Sequence, residues 1–334
     1  MKVTVLGGAG AWGFALSKLL TNNGHSVTIW SKFEADIEHL TNTNSCKAFP
    51  SVTLPEGTIY TSDLERATTG CDIIIIAISS PFVREVCKAL NPFLKKNQII
   101  VNVSKAIEPG TLLFLTEVIQ EECPVADVAV LSGPSHAEEV VYSLPTTVVI
   151  GATTEETAHY LQNIFMSSVF RVYTSPDIKG IEAGASLKNV IALAVGISEG
   201  LGYGDNAKAA IMTRGMNEIT KLGMKMGGQQ LTFLGLSGMG DLIVTCSSRH
   251  SRNRRAGILI GEGKTIEETK KEVGEVIEGL NSAQAALALG AKYHVQLPII
   301  EAINDMLNGE TTPSLVVDNL MSRDRKIEHS DISW

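Results

Sequence analysis

Near its start the chain reads Val3-Thr4-Val5-Leu6-Gly7-Gly8-Ala9-Gly10-Ala11-Trp12-Gly13-Phe14-Ala15-Leu16-Ser17-Lys18-Leu19-Leu20, and its next apolar run is Val27-Thr28-Ile29-Trp30. A short β-branched run (3–6), apolar positions at helical spacing (15–20) and a second β-branched run (27–30) are the rhythm of a βαβ unit. Gly8, Gly10 and Gly13 form GxGxxG directly after the first strand, where the first helix begins. Glycine suits these positions because the backbone turns tightly, approaches a pyrophosphate closely and packs helix on strand, while the helix N-terminus faces the anion. A structural tight turn uses the same glycines; the placement inside a βαβ unit of about thirty residues favours dinucleotide binding.

Outward from this unit, runs at 73–78, 99–103, 128–131 and 147–150 are almost continuously apolar. That pattern is expected of parallel strands covered on both faces, and so of a doubly wound sheet. Beyond the run 170–173 the character changes: 181–198 and 207–222 carry long helical patterns rich in Ala and Gly, and strand-like runs nearly disappear. Pro and Gly in 176–180 mark a turn. The expected architecture is therefore α/β, with a doubly wound, Rossmann-like dinucleotide-binding domain over 1–180 and an all-helical substrate and catalytic domain over 181–334.

The composition agrees with two folded domains. The 334 residues are 44% hydrophobic and 19% charged, the latter below the roughly 25% of an average globule, and the net charge is −8. A negative chain repels polyphosphate backbones at long range, which argues against a nucleic-acid partner. The five cysteines, Cys46, Cys71, Cys87, Cys123 and Cys246, are scattered without a CxxC pair and read as reduced thiols of a cytoplasmic protein. The first apolar run stops at glycines too early for a signal peptide, and the longest runs, 73–78 and 190–195, fall far short of the ~20 residues a bilayer requires. No secretion and no membrane span are expected.

Reduction of a ketone needs a proton donor at the carbonyl oxygen, and a phosphorylated substrate also needs a cationic or N–H-rich site. Lys105 stands just past a predicted strand, where ligands gather in doubly wound sheets. Lys188 stands in an apolar helix, where burial would lower its pKa, although a lysine there can also snorkel to solvent. Asp241 suits catalysis or a helix cap. In Ser251-Arg252-Asn253-Arg254-Arg255, Ser251 is a plausible N-cap, so that backbone N–H groups, Arg252 and Asn253 converge on a phosphate; a solvated cationic face is the alternative. Gly133 and Ser135 follow a strand in a turn suited to lining a substrate. His136 reads as a loop residue rather than a catalyst, and the seven histidines form neither HExxH nor a close pair, so no metal site is expected. Ser31 and Lys32 end the second strand, with Glu34 further along, which favours NADP while leaving NAD open. Gly263-Lys264-Thr265 spells the end of a Walker motif, but Ile258 stands where its first glycine belongs.

These segments, GAGAWG (8–13), NVSKAIEPG (102–110), LSGPSHAEEV (131–140), FRVYTSPDIKGIEAGASLKNVIA (170–192), GLGYGDNAKAAIMTRG (200–215), GLSGMGDLIVTC (235–246), SRNRRAG (251–257) and VIEG (276–279), make a sequence that closely resembles the bacterial-type NAD(P)-dependent glycerol-3-phosphate dehydrogenases over essentially its whole length. The resemblance implies a cytoplasmic enzyme, usually a homodimer, that interconverts dihydroxyacetone phosphate and sn-glycerol 3-phosphate with NADPH or NADH and supplies the latter for phospholipid synthesis. It implies that Lys188 is the proton donor and acceptor, assisted by Lys105 and Asp241. Gly133, Ser135, Ser251, Arg252 and Asn253 match positions lining the glycerol phosphate site. Besides the glycine turn, Ala11, Trp12, Lys32, Lys105, Ala137, Arg252, Val276 and Glu278 match cofactor contacts. The sequence departs from the family's usual pattern at Ala11, Lys32, Ala48, Ala106 and His136, where Ser, Arg or His, Tyr, Gly and Phe are respectively common. The competing enzyme reading is a reductase of a carboxylated ketone; a non-catalytic dinucleotide sensor would need the glycine turn without the lysines and the arginine-rich segment.

Overall fold

A computed structural model describes residues 1–322, 327 and 328. The described residues hold eight strands: β1 (Lys2–Leu6), β2 (Ser26–Trp30), β3 (Ile59–Thr61), β4 (Ile73–Ile76), β5 (Ile99–Asn102), β6 (Asp127–Ser132), β7 (Thr146–Gly151) and β8 (Phe170–Ser175). They form one sheet in the order β3-β2-β1-β4-β5-β6-β7-β8. Between them run α1 (Ala11–Asn22), α2 (Glu34–Thr43), α3 (Leu64–Thr68), α4 (Val83–Leu90), α5 (Leu115–Glu122), α6 (Ala137–Val140) and α7 (Glu155–Phe165). Ile73, Ile74, Ile75 and Ile76 are all inaccessible to solvent, Ile73 and Ile75 joining the apolar cluster on one face and Ile74 and Ile76 that on the other. A strand covered on both faces gains from continuous β-branched side chains, which is why this run carries no alternation.

The strand order reverses at β1 and β4: from β1 the chain winds outward to β2 and β3, then returns to β4 on β1's other side. A crevice opens at the carboxyl ends of strands at such a reversal, and the glycine turn lies there. Two features differ from the sequence reading. β3 has three residues at the sheet edge, too short to register as a run. The run at 147–150, expected to be parallel like the others, belongs to β7, which pairs antiparallel to β6 with Leu131 opposite Ile150, and β8 then runs parallel to β7. The physical reason lies in the link. α6 has four residues, roughly 6 Å of helix, too short to carry the chain back along a strand of about 20 Å, so the chain re-enters the sheet from the carboxyl edge.

After β8 the described chain is helical: α8 (Ile178–Gly200), α9 (Asp205–Lys225), α10 (Gln230–Phe233), α11 (Asp241–Ser247), α12 (Arg252–Gly261), α13 (Ile266–Val273), α14 (Glu278–Tyr293), α15 (Pro298–Leu307) and α16 (Pro313–Met321). Every residue of α8 from Gly180 to Ser198 is buried. Its 23 residues make it long enough, and on average apolar enough, to cross a bilayer, a length the separate apolar runs of the sequence did not reveal, but the other helices and the sheet already cover it. It starts beside β7, where Ile181 packs on Val130 and Val149, because the reversed β7 and β8 end at the opposite edge of the sheet from the glycine turn. Asp177 caps it, accepting from Gly180 N at 2.9 Å and tying in Gln229 N at 2.8 Å. A turn and a half along, Glu182 accepts from Thr116 N at 3.1 Å, from Asn102 Nδ2 at 3.2 Å and from the Thr116 hydroxyl, fastening α8 to the sheet. Burial raises this carboxyl to about 7. Against α12, α8 packs backbone to backbone: a Cβ on Gly196 would stand 2.2 Å from the Arg254 carbonyl oxygen, and one on Gly257 2.2 Å from that of Leu193.

Candidate active site

The glycine turn is built for close backbone approach. Gly7 takes φ +84°, and a Cβ on Gly8 would meet Ile29 at 2.8 Å while one on Gly13 would meet the Gly7 carbonyl at 2.5 Å. Gly10 precedes α1 without any side-chain cap, and the first turn of α1 carries no acidic residue. The amides there are left for an outside anion, with no carboxylate in that turn to repel it. Ala11 and Trp12 form that turn, and the buried Trp12 Nε1 has no hydrogen-bond partner among the described residues. These features fit a dinucleotide. Lys32 follows β2 and pairs with exposed Glu85 at 2.8 Å, away from the lysine cluster described next.

At the same edge of the sheet, the loops after β5 and β6 bring in Lys105 and Gly133. Lys105 Nζ donates to the Gly133 carbonyl at 3.0 Å and to Asp241 Oδ2 at 2.9 Å. The Ser135 hydroxyl donates to the same carbonyl at 3.0 Å. Gly133 holds φ +139° with its Cα hydrogen facing β7, where a side chain would meet Val148 at 3.0 Å. From the helical half, Lys188 lies ten residues into α8, about 15 Å from its start, which carries the amine from the far edge of the sheet to the site. Its Nζ donates to Asp241 Oδ1 and to Thr245 Oγ1, each at 2.6 Å. Asp241 thus accepts from both lysines, one on each oxygen, and is itself 1% exposed. A wide, π-helical turn at Leu236–Gly240 swings it into place, with Ser237 packed against Gly184 of α8.

The electrostatics of Lys188 follow from this geometry. It is 5% exposed, and the loss of water, aided by the Lys105 charge and resisted by Asp241, lowers its pKa to about 8. An amine poised there can hold or release a proton near neutrality, which a solvated lysine cannot.

Ser251 is the N-cap of α12, its hydroxyl accepting from Arg254 N at 3.2 Å. Asn253 is locked: Nδ2 donates to Asn189 Oδ1 at 3.0 Å and Oδ1 accepts from Gly279 N at 2.8 Å, so the turn is pinned to the residue beside Lys188. Arg252 is half exposed and pairs with Glu275 at 2.9 Å. Val276 is exposed, whereas Glu278 is partly buried, and loss of water raises its carboxyl, which accepts from Ser80 of the loop after β4 at 3.3 Å. That contact joins the helical half to the sheet's carboxyl edge. Ala137 begins α6 at the same edge. Thr245 is the member that the sequence reading missed; it lies four residues after Asp241, hence on the same helical face, and that spacing was the available signal.

A reversal-point crevice with a glycine cradle on one side and a buried amine–carboxylate–amine cluster on the other defines a dinucleotide-dependent oxidoreductase. The comparisons with known proteins narrow this. Residues 2–158 match the family model for the NAD-dependent glycerol-3-phosphate dehydrogenase N-terminus, and residues 177–318 that for its C-terminus. Among curated relatives, the chain is 54% identical over 328 residues to glycerol-3-phosphate dehydrogenase [NAD(P)+] of Agathobacter rectalis, covering 98% of each chain. It is 52% identical to that of Fusobacterium nucleatum, again covering 98% of each. A crystal structure of glycerol-3-phosphate dehydrogenase from Coxiella burnetii superposes with a TM-score of 0.92 at 34% identity, over 96% of this chain and 99% of that one. The chain belongs to the NAD-dependent glycerol-3-phosphate dehydrogenase family.

Proposed function

We propose that this protein interconverts dihydroxyacetone phosphate and sn-glycerol 3-phosphate using NAD(P)H, with Lys188 as its acid and base. The observation that carries the reading is the buried cluster in which Asp241 accepts from Lys188 and Lys105 at once. When bound, a reduced dinucleotide supplies the hydride that reduces the ketone carbon. The protonated Lys188 gives one proton to the oxygen at that carbon, so ketone becomes secondary alcohol; in the reverse direction the neutral amine takes that proton back. Asp241 fixes both ammonium groups through one carboxylate, and Lys105 adds positive charge where the alkoxide develops. Gly133 and Ser135 line the same pocket.

The phosphate belongs at the start of α12. Arg252 exchanges exposed Glu275 for the dianion, while the backbone amides of Arg252 and Asn253 and the second amide proton of Asn253 complete the site. Binding energy gathered at that end aligns the ketone carbon. Gly8, Gly10, Ala11, Trp12 and Gly13 would hold the dinucleotide's pyrophosphate region, Lys32 its ribose end, and Lys105, Ala137, Arg252, Val276 and Glu278 the rest. We assign 1–180 to dinucleotide binding and 181–334 to substrate binding and catalysis, and place the enzyme in the cytoplasm as a homodimer that supplies phospholipid synthesis.

Initial rates with dihydroxyacetone phosphate and either NADH or NADPH test reaction, substrate and cofactor together. Turnover with a carboxylated ketone and none with the phosphate ester would refute the assignment.

A further inference from the structure

Lys105 reaches Asp241 from the loop 103–114, which joins β5 to α5. At its start the loop is tied to the sheet, the Ser104 hydroxyl donating to the Ile78 carbonyl at 2.7 Å. Directly after Lys105 the chain crosses between the two halves: Ala106 packs in the apolar cluster beneath α4 and α5, whereas Ile107 and Phe114 join that of the helical half. The loop then turns on itself, Glu108 N donating to the Leu113 carbonyl at 2.9 Å and Leu112 N to the Glu108 carbonyl at 3.0 Å, with Leu112 at φ +62°. A leucine in the left-handed region is strained, and such a backbone persists only where its surroundings hold it.

The holder stands on α4. Val83, Val86, Cys87 and Leu90 face inward at helical spacing, and Arg84, one residue on from Val83, emerges on the flank shared with the loop and α5. Its Nε donates to Glu108 Oε1 at 2.9 Å and its Nη2 to Glu108 Oε2 at 2.7 Å, a bidentate fork. Nη1 donates to Glu122 at 2.6 Å and Nη2 also to Glu121 at 2.9 Å, both on α5. The Thr111 hydroxyl adds a bond to Glu108 Oε2 from within the loop. Four of the five guanidinium N–H groups are thus engaged, and the fork fixes the direction as well as the distance of the Glu108 carboxylate, which a point charge cannot do. Glu108 lies three residues after Lys105, within roughly 10 Å of chain, so displacing one displaces the other. Without the guanidinium, three carboxylates would face one another unneutralised, and their repulsion would push the loop away from α5.

We propose that Arg84 is a positioning residue for ketone reduction, one that holds Lys105 against Asp241 by clamping Glu108. This rests on the reaction assigned above. The test is a double-substitution cycle read as kcat/KM for dihydroxyacetone phosphate in Arg84→Met, in Lys105→Met and in the two combined. Alone, Arg84→Met should lower kcat/KM by about tenfold or more, the scale of a misplaced reacting group. In the Lys105→Met background the same change should cost less than about twofold, because the amine it positions is already gone. A misfolded fraction would take the same factor from both backgrounds, so equal losses would overturn the proposal, as would full activity in Arg84→Met. Glu122→Gln, which loosens Arg84 on the α5 side and leaves the fork to Glu108, should stay within about twofold of wild type; a loss as large as that of Arg84→Met would overturn the assignment to the loop. A second readout needs no double variant. The Lys105 charge helps to hold Lys188 below the usual lysine range, so its displacement in Arg84→Met should move the alkaline fall of the reduction rate to higher pH, and a fall that stays in place would count against the proposal. A wild type that does not reduce dihydroxyacetone phosphate would instead refute the reaction on which it rests.

Discussion

The two halves of the molecule do their work with different parts of the chain. In the sheet half, the glycine turn offers main-chain amides at the end of β1, and what matters in its side chains is that they are missing at Gly8 and Gly13. In the helical half, the site is made of side chains, and α8 brings its buried Lys188 to Asp241 of a helix 53 residues away in sequence. The contrast teaches that affinity for the dinucleotide and the proton step are separately vulnerable: adding one methyl group should injure the first, and removing one amine the second.

The sharpest way to break that separation is Lys188→Ala. Turnover should fall by about 10²–10⁴-fold, the usual worth of a positioned acid or base, while dinucleotide affinity measured by fluorescence titration stays close to wild type. Equal losses in both would show the halves to be one energetic unit. Gly13→Ala is the complement. Its Cβ, 2.5 Å from the Gly7 carbonyl, must displace the turn, and dinucleotide affinity should drop by about ten- to a hundredfold through an overpacking cost of roughly 1–3 kcal/mol. Residual turnover at saturating dinucleotide should keep the wild-type pH profile.

That profile is a third expectation. Lys188 titrates at about 8, and ketone reduction needs it protonated. The reduction rate should be level below about pH 8 and fall tenfold per pH unit above it, whereas alcohol oxidation should rise tenfold per pH unit up to about pH 8 and be level above it. A reduction rate that is flat to pH 10 would remove Lys188 as the acid. The smallest effect concerns the fastening between the halves. The Glu182 carboxyl is raised from 4.5 to about 7, so the folded state holds its proton between those values while the unfolded chain has lost it. Its contribution is therefore fully present below about pH 4.5 and lost as pH rises through 7. Glu182→Gln can keep the bonds to Thr116 and Asn102 without the titration, and its melting temperature relative to wild type should rise between pH 5 and pH 8 by an amount worth on the order of 1 kcal/mol. An unchanged difference across that range would show that Glu182 is not the titrating group.

The sequence made the sheet half legible because its signals are local. Residues 3–6, 73–78 and 99–103 announce buried strands by composition alone, and GxGxxG carries its meaning in six consecutive residues. What escaped was set by geometry between elements. β3 is too short for a pattern, and the antiparallel direction of β7 depends on how far α6 can reach, which periodicity does not encode. In the helical half the candidates Lys188 and Asp241 were each ambiguous alone, one a snorkelling lysine and the other a cap. Their pairing with Lys105 is a fact of packing, created when the turn at Leu236–Gly240 seats against α8. The resemblance to the family pointed to these residues before their contacts could be seen. Thr245 was announced only by its spacing of four from Asp241.

The glycine seam between α8 and α12 settles how the cleft can move. With Gly196 against the backbone at Arg254 and Gly257 against that at Leu193, no flexible side chain separates the two helices to absorb a shift. Amine and arginine-rich turn are consequently mounted on one rigid unit, so that any motion which admits substrate leaves the span between proton source and anion cradle unchanged.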